Sequence, residues 1–419
     1  MASTITTFDF ALRDRYTNKQ TVQNLCFADR VTLGKMPKDT EFQGRGHPIP
    51  VIIRSPLGIA VTLANAQTNA TTNSGAAGNT KGVEFLITAG DLVGTVDIGE
   101  KVIRASRANP GAFLQNKTAE IDGLYGGVAD DLARAIQGNG TNLLGVSPNL
   151  VGTTITFTNP SDAMYFEVDM LLEASLADGS GAADALLAGT AYVTNRDLNA
   201  GTVTINALPG AWNGAGTLYL FRAGTFLGNV GNLITHGFGS YITSAAAPPA
   251  LYGVSAAARL AEKQRLCGVV LPAASVAGLG KEVRMQMLGS QMTGRAKGPG
   301  GKFWTMHPED WQDLAISLQS RGQRPLTDKS TSFGYEYLEI VAGGVRGEVY
   351  ADRFNPKGKA RCWRIQNWTL LTMGEMIGPQ NGDGLTMLRK ATTIDYEYRL
   401  LGFPGVGCEA PGWQGEVPV

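Results

Sequence analysis

Two strand-like runs, Ile49-Pro-Val-Ile-Ile53 and Val83-Glu-Phe-Leu-Ile-Thr88, flank the stretch NAQTNATTNSGAAGNTKG at residues 65–82. The β-branched content of the flanks predicts two strands. The stretch between them is almost wholly Asn, Thr, Ala, Gly and Ser, which predicts an extended β-hairpin with a polar, flexible tip. Two strands bury too little to be stable alone, so such a hairpin must lie across another surface, in the same chain or the next. This stretch decides the reading: the chain sends out an arm.

Upstream, residues 1–45 begin with a helix-like piece around Phe8 to Tyr16 and pass through Val22-Gln-Asn-Leu25-Cys-Phe27 into a Pro/Gly-rich run at Met36-Pro-Lys-Asp39 and Gly44-Arg-Gly-His-Pro48. Periodic apolar content is too low for a core. Leu25, Phe27, Val31, Leu33 and Phe42 are nevertheless too apolar for a free tail, so this segment is expected to lie on something else.

Downstream, Ile121, Leu124, Tyr125, Val128, Leu132, Ala135 and Ile136 recur at spacings of three and four. That period predicts a helix over 116–138, with Asn116 as N-cap and Gly138-Asn-Gly140 as its stop. Gly123, Gly126 and Gly127 weaken the helix and suggest close approach of another backbone on the glycine face. From Thr153 to Arg222 five short strands are predicted, at 154–157, 166–170, 190–194, 202–205 and 217–221; their spacing suits a small barrel or sandwich. Helices are expected near 273–288 and 308–320, with a flexible basic loop at 295–302 between them. Strands return at 337–341, 347–350, 361–365, 368–371 and 396–400. The fold class is therefore α+β with an inserted β unit.

Lys plus Arg and Asp plus Glu number 36 each, so net charge is zero, which argues against tight gripping of nucleic acid. Charged residues are only 17% and Gly is 54 of 419, which suits a loop-rich chain hiding surface in contacts with neighbours. The cysteines Cys26, Cys267, Cys362 and Cys408 are scattered and read as reduced structural thiols. No signal core or membrane-length apolar run is present, so a soluble product made in a cytoplasm is expected.

Reactive constellations are missing from the sequence. His47, His236 and His307 lie in separate segments without a ligand-spaced partner, so no metal is expected. Gly298-Pro-Gly-Gly-Lys302 fails as a phosphate loop, because Phe303 follows the lysine and Ala296 replaces the first glycine. Asp130 and Asp131 point about 100° apart on a helix and read as a solvated face. Trp363 and Trp368 read as core. Neither catalysis nor a cofactor is expected.

An ordered set of segments then stands out: Phe8-Asp-Phe-Ala-Leu12 with Tyr16, Met36-Pro-Lys-Asp39, Ala64-Asn-Ala-Gln67, Asn109-Pro-Gly-Ala-Phe-Leu114 and Glu120-Ile-Asp122. Further on come Phe303-Trp-Thr-Met-His-Pro308 with Trp311, Phe333-Gly-Tyr335, Leu388-Arg389 and Glu397-Tyr-Arg399. The set resembles the major capsid proteins of tailed double-stranded DNA phages, the Hong Kong phage type fold. The resemblance implies an N-terminal arm (1–45), an extended loop (46–104), a peripheral domain with a spine helix (105–150), an inserted barrel-like β domain (151–225), an axial domain (226–330), further peripheral strands (331–375) and a C-terminal axial part (376–419). It implies pentamers and hexamers of an icosahedral head enclosing the genome, assembled in a bacterial cytoplasm. Portal and scaffolding proteins are implied as partners, with a decoration protein open. A separate scaffold is expected because the arm begins near Met1.

Inter-subunit contacts are expected at Phe8, Phe10, Tyr16, Asn65, Gln67 and Phe113. Arg295, Lys297 and Lys302 are expected to face DNA weakly or line an axial loop. An encapsulin-like nanocompartment shell and a glycan-binding β-rich adhesin are the alternatives.

Overall fold

In the computed structural model of the chain, the described residues are 30–40, 42, 44, 46–72, 80–100, 110–181, 184–226, 235–243, 248–295, 302–320, 337–380, 387–390 and 393–419. In chain order the principal elements begin with α1 (Val31–Lys35), β1 (His47–Arg54), α2 (Leu63–Thr72), β2 (Lys81–Ile87), β3 (Leu92–Ile98) and α3 (Pro110–Gln137). Next come β4 (Gly145–Ser147), β5 (Thr154–Thr156), β6 (Leu171–Ser175), β7 (Ala191–Asp197), β8 (Thr202–Ile205) and β9 (Leu218–Arg222). The remainder comprises β10 (Val269–Val270), α4 (Lys281–Arg295), β11 (Lys302–Met306), α5 (Pro308–Ser320), β12 (Tyr337–Ala342), β13 (Val345–Ala351), β14 (Lys359–Trp363), β15 (Tyr396–Gly402) and β16 (Gly415–Pro418). The fold class is α+β, and the chain divides into two compact units.

One unit comprises residues up to 35, 89–237 and 371–405. Its axis is α3, whose 28 residues span about 42 Å at 1.5 Å each. Ile121, Tyr125, Val128, Leu132 and Ile136 form the buried stripe that the period predicts. The helix starts at Pro110 and not after Asn116, since proline is preorganised for a first helical turn. The stripe packs on β3, which pairs antiparallel with β15 from Leu92↔Gly402 to Ile98↔Tyr396. The close approach is made at Gly94, where an added Cβ would stand 2.7 Å from Val128 Cγ2. The helix glycines serve no such contact here: an added Cβ at Gly123 or Gly127 would meet nothing within 4 Å.

The inserted strands form one antiparallel sheet in the order β4-β9-β6-β7-β8-β5. A bond from the Thr158 N–H to the Val146 carbonyl, 2.8 Å long, brings its two ends together, so the sheet curls on itself. Leu150, Ile155, Phe157, Phe166, Val193 and Trp212 lie in its core. The strand expected at 166–170 begins later, at Leu171, because Asp169 takes a left-handed φ of 69° and turns the chain.

The adjacent carboxylates on α3 are a correction to the sequence reading. Asp131 is buried and takes Arg134 at 2.5 Å and Arg222 at 3.1 Å. Asp130 pairs with the buried Arg30. Neither belongs to a purely solvated face.

The other unit comprises residues 36–88, 238–370 and 406–419. Its six-stranded sheet runs β10-β16-β14-β11-β13-β12, with β11 parallel to β13 and β10 parallel to β16. Met285, Leu288 and Met292 of α4 and Leu314 and Leu318 of α5 share one core with Trp304 of β11. Within this sheet the strands at 337–363 pair with one another, with β11 and with β16. Residues 396–402, expected in the axial part, pair with β3 in the first unit. The helix expected at 273–288 is split, because Gly278 at φ +75° turns the chain before α4 begins at Lys281. Trp363 and Trp368 are fully buried. His307 is buried at the start of α5 and its Nδ1 accepts the Glu309 N–H, so it serves structure. Cys267, Cys362 and Cys408 are buried and in no disulfide, while Cys26 and the expected helix at 8–16 lie outside the described residues.

Candidate assembly surface

Strands β1 and β2 make a two-stranded ribbon paired from His47↔Ile87 to Arg54↔Lys81, with an irregularity between Ile52 and Arg54. Alternation in β1 divides its residues: Ile49, Val51 and Ile53 are buried, while Pro48, Pro50 and Ile52 face out. The buried side roots the ribbon. Phe85 meets Tyr241 edge-on with ring centroids 5.8 Å apart. The Tyr241 hydroxyl donates to the Val406 carbonyl at 3.0 Å, and burial pushes its pKa well up, keeping it a neutral donor. Ile49 packs where Gly407 has no side chain; a Cβ there would stand 2.2 Å from Ile49 Cδ1. The fully buried Arg259 donates to the carbonyls of Pro249 at 2.6 Å and Ser240 at 2.9 Å, fixing the backbone that carries Tyr241.

Beyond Arg54 the character changes. The first part of the tip is not the loop that its composition predicts, because α2 occupies residues 63–72; residues 73–79 lie outside the described residues. Thr62 caps it by accepting the Asn65 N–H at 3.3 Å, and the Thr68 and Thr71 hydroxyls donate back to Ala64 and Gln67 carbonyls within the helix. The Asn69 side chain donates to the Ile59 carbonyl at 3.1 Å, folding the preceding segment onto the helix. That segment then presents its apolar residues to water: Ile59 is 83% exposed, Val61 102% and Leu63 75%. Ile52 on the ribbon is 64% exposed. No charged residue occurs between Arg54 and Lys81.

Such a surface can bind but offers no reactive group. Among the described residues no three His, Cys, Asp or Glu side chains gather as a metal site, and no helix is long and apolar enough to cross a membrane.

Of the residues singled out from sequence, Asn65 and Gln67 lie together, both exposed, on α2. Phe113 lies early in α3. Arg295 ends α4 and Lys302 opens β11. Phe8, Phe10, Tyr16 and Lys297 lie outside the described residues, as does the loop at 296–301. The residues missed are Leu57, Ile59, Val61 and Leu63. Their alternation at period two in a charge-free run is a strand-like signal that could have flagged them.

No protein-family model and no curated protein matches the sequence. Among solved structures the chain is similar to the capsid of cyanophage A-1(L), at 8% identity over 93% of this chain and 92% of that one, with a TM-score of 0.48. It is similar to the virus-like particle from Pyrococcus furiosus, at 7% identity over 94% and 95% of the two chains, with a TM-score of 0.41. A likeness to the SrpI encapsulin of Synechococcus elongatus covers 36% of this chain and 52% of that one, at 14% identity and a TM-score of 0.28.

Proposed function

We propose that this chain is the repeating shell subunit of a tailed-phage head, forming pentamers and hexamers of an icosahedral particle around double-stranded DNA. The observation that carries the reading is the arm: a ribbon rooted on its own unit, running into an uncharged segment whose apolar side chains are left in water. Transferring Ile52, Ile59, Val61 and Leu63 out of water would contribute about 1.5–3 kcal/mol each. A single chain forgoes that stabilisation; a neighbouring copy that covers the tip recovers it. The ordered set of sequence segments resembling phage capsid proteins gives the same answer.

On this reading the chain is not an enzyme, and scaffolding and portal proteins are its other partners. Zero net charge limits contact with DNA to weak, local interactions, for which Arg295, Lys297 and Lys302 are the proposed residues. The test is particle mass and shape, by mass photometry and negative-stain imaging, with and without a scaffolding partner. Rings of five or six, or hollow shells, are expected. Encapsulated nucleic acid would separate a phage head from an encapsulin-like compartment, which would hold cargo protein. Ile59→Asp with Val61→Asp should leave the fold intact and abolish shells. A wild-type chain that stays monomeric or trimeric under both conditions overturns the reading.

A further inference from the structure

The ribbon poses a problem that its sequence solves. A two-stranded sheet has two open edges, and an open edge is a template for adding further strands. The register identifies which backbone groups each edge of β1 presents. Pro48 lies opposite Leu86, and the Leu86 N–H points away from β1 to the Tyr252 carbonyl at 3.1 Å. Pro48 and Leu86 are thus a non-hydrogen-bonded pair. By the alternation of an antiparallel ladder, Pro50 opposite Glu84 and Ile52 opposite Gly82 are non-hydrogen-bonded pairs too. The outward edge of β1 therefore belongs to residues 48, 50 and 52. No described strand pairs with it, and residues 50–53 line a cavity of about 330 Å³ together with Asn367, Glu409 and Trp413.

Proline has no N–H. Two of the three outward donors on this edge are accordingly missing, while the inward-facing groups of His47, Ile49 and Val51 remain free to hold β2. The other strand is protected differently, with its Leu86 N–H taken by Tyr252 and with Glu84 and Lys81 exposed along it.

We infer that Pro48 and Pro50 guard the arm against strand addition, so that a second copy meets the arm through side chains and not by extending its sheet. The part that concerns a second copy rests on the shell reading, while the guarded edge is tested on the free chain; the edge inference can fail while shells still form, and the reverse. An edge hydrogen bond of ordinary net strength changes a pairing constant about fivefold, so restoring two donors should raise it roughly twenty-fivefold.

The test replaces both prolines in the full chain by Pro48→Thr and Pro50→Thr. Threonine restores the donors and suits a strand without adding apolar surface. Sedimentation velocity and thioflavin-T binding are followed against the parent at equal concentration, with hydrogen exchange confirming that the β1–β2 ladder is retained. Concentration-dependent, dye-positive, high-mass material in the variant is expected. Unchanged sedimentation and dye response with the ladder intact would overturn the inference. If the double variant fails to fold, Pro50→Thr alone serves in its place, beside Ile52→Pro, which deletes the last outward donor. Pro50→Thr should raise the dye response and Ile52→Pro should leave it at or below the parent; the opposite order would also overturn the inference.

Discussion

Asp130 and Asp131 are neighbours in sequence, yet replacing them with alanine should have very different effects. Asp131 is 7% exposed and accepts from Arg134 at 2.5 Å and Arg222 at 3.1 Å, joining α3 to the last strand of the inserted sheet. Removing one partner of a buried ion pair costs about 3–5 kcal/mol, because the charge left behind is not solvated. Two features hold the cost near the lower end. Arg134 keeps a hydrogen bond to the Asn142 side chain and the face of Tyr165 at 5.4 Å, and the Arg222 side chain, 39% exposed, can turn to water. We expect about 3 kcal/mol for Asp131→Ala. Asp130 is more exposed, and Arg30 would retain the Gly126 carbonyl at 2.8 Å, so Asp130→Ala should cost about 1 kcal/mol. Hydrogen exchange by mass spectrometry on the full chain reads both locally. Peptides covering 125–145 and 215–226 should lose roughly a hundredfold in protection for Asp131→Ala and less than tenfold for Asp130→Ala. Equal losses would refute the reasoning, because they would mean that the buried pair does not couple helix and insert.

Burial raises the Asp162 pKa to about 7, with a hydrogen bond from Asn159 opposing the rise. A carboxyl raised in the folded state binds protons preferentially there, so the insert should lose stability as pH rises from about 4 to 7. The full linkage is about 4 kcal/mol, and since the residue keeps partial exposure we expect roughly half of it. Asp162→Asn should flatten this dependence and raise the urea midpoint at pH 8 but not at pH 4. Glu416 goes the other way: burial would raise it, but Arg361 at 2.9 Å and Lys359 at 2.8 Å outweigh burial and hold it below the ordinary carboxylate range. Its contribution to the six-stranded sheet is present at neutral pH and lost as pH falls below about 4.5, and Glu416→Gln should abolish that acid sensitivity. Gly123→Ala and Gly127→Ala, at helical positions with open space, should each stabilise α3 by up to about 1 kcal/mol, measured as protection of its amides.

Strong periodicity was legible. The stripe from Ile121 to Ile136 located α3, the start of α5 at Pro308 was marked by its proline, and Thr202–Ile205 was placed to the residue. What escaped was partnership. The strands at 337–351 carry ordinary strand signals, and nothing local records that β13 runs parallel to β11 while β15 crosses to β3. Pairing depends on residues far apart in the chain, and period two is the same for every partner. The same limit explains the carboxylates: helical spacing shows that Asp130 and Asp131 diverge, but only Arg222, ninety-one residues away, shows which of them is buried.

The arm shows how local signals can mislead even when the element is found. Its tip composition, Asn, Thr, Ala and Gly, argues for a flexible loop, because Asn and Thr compete for backbone hydrogen bonds. In α2 those same side chains satisfy the helix instead: Thr62 caps it, Thr68 and Thr71 bond back one turn, and Asn69 holds Ile59. The alanines at 64, 66 and 70 supply helix propensity. The first half of the polar run therefore forms a helix against which the apolar run before it is folded. The prolines of β1 fit the same logic, since they weaken a strand by composition and yet stand where the ladder does not need their N–H. Residues that look like defects in a strand or helix taken alone fit their places once their partners are known: Thr62, Thr68, Thr71 and Asn69 bond within the segment, and Pro48 and Pro50 stand where β2 asks no N–H of them.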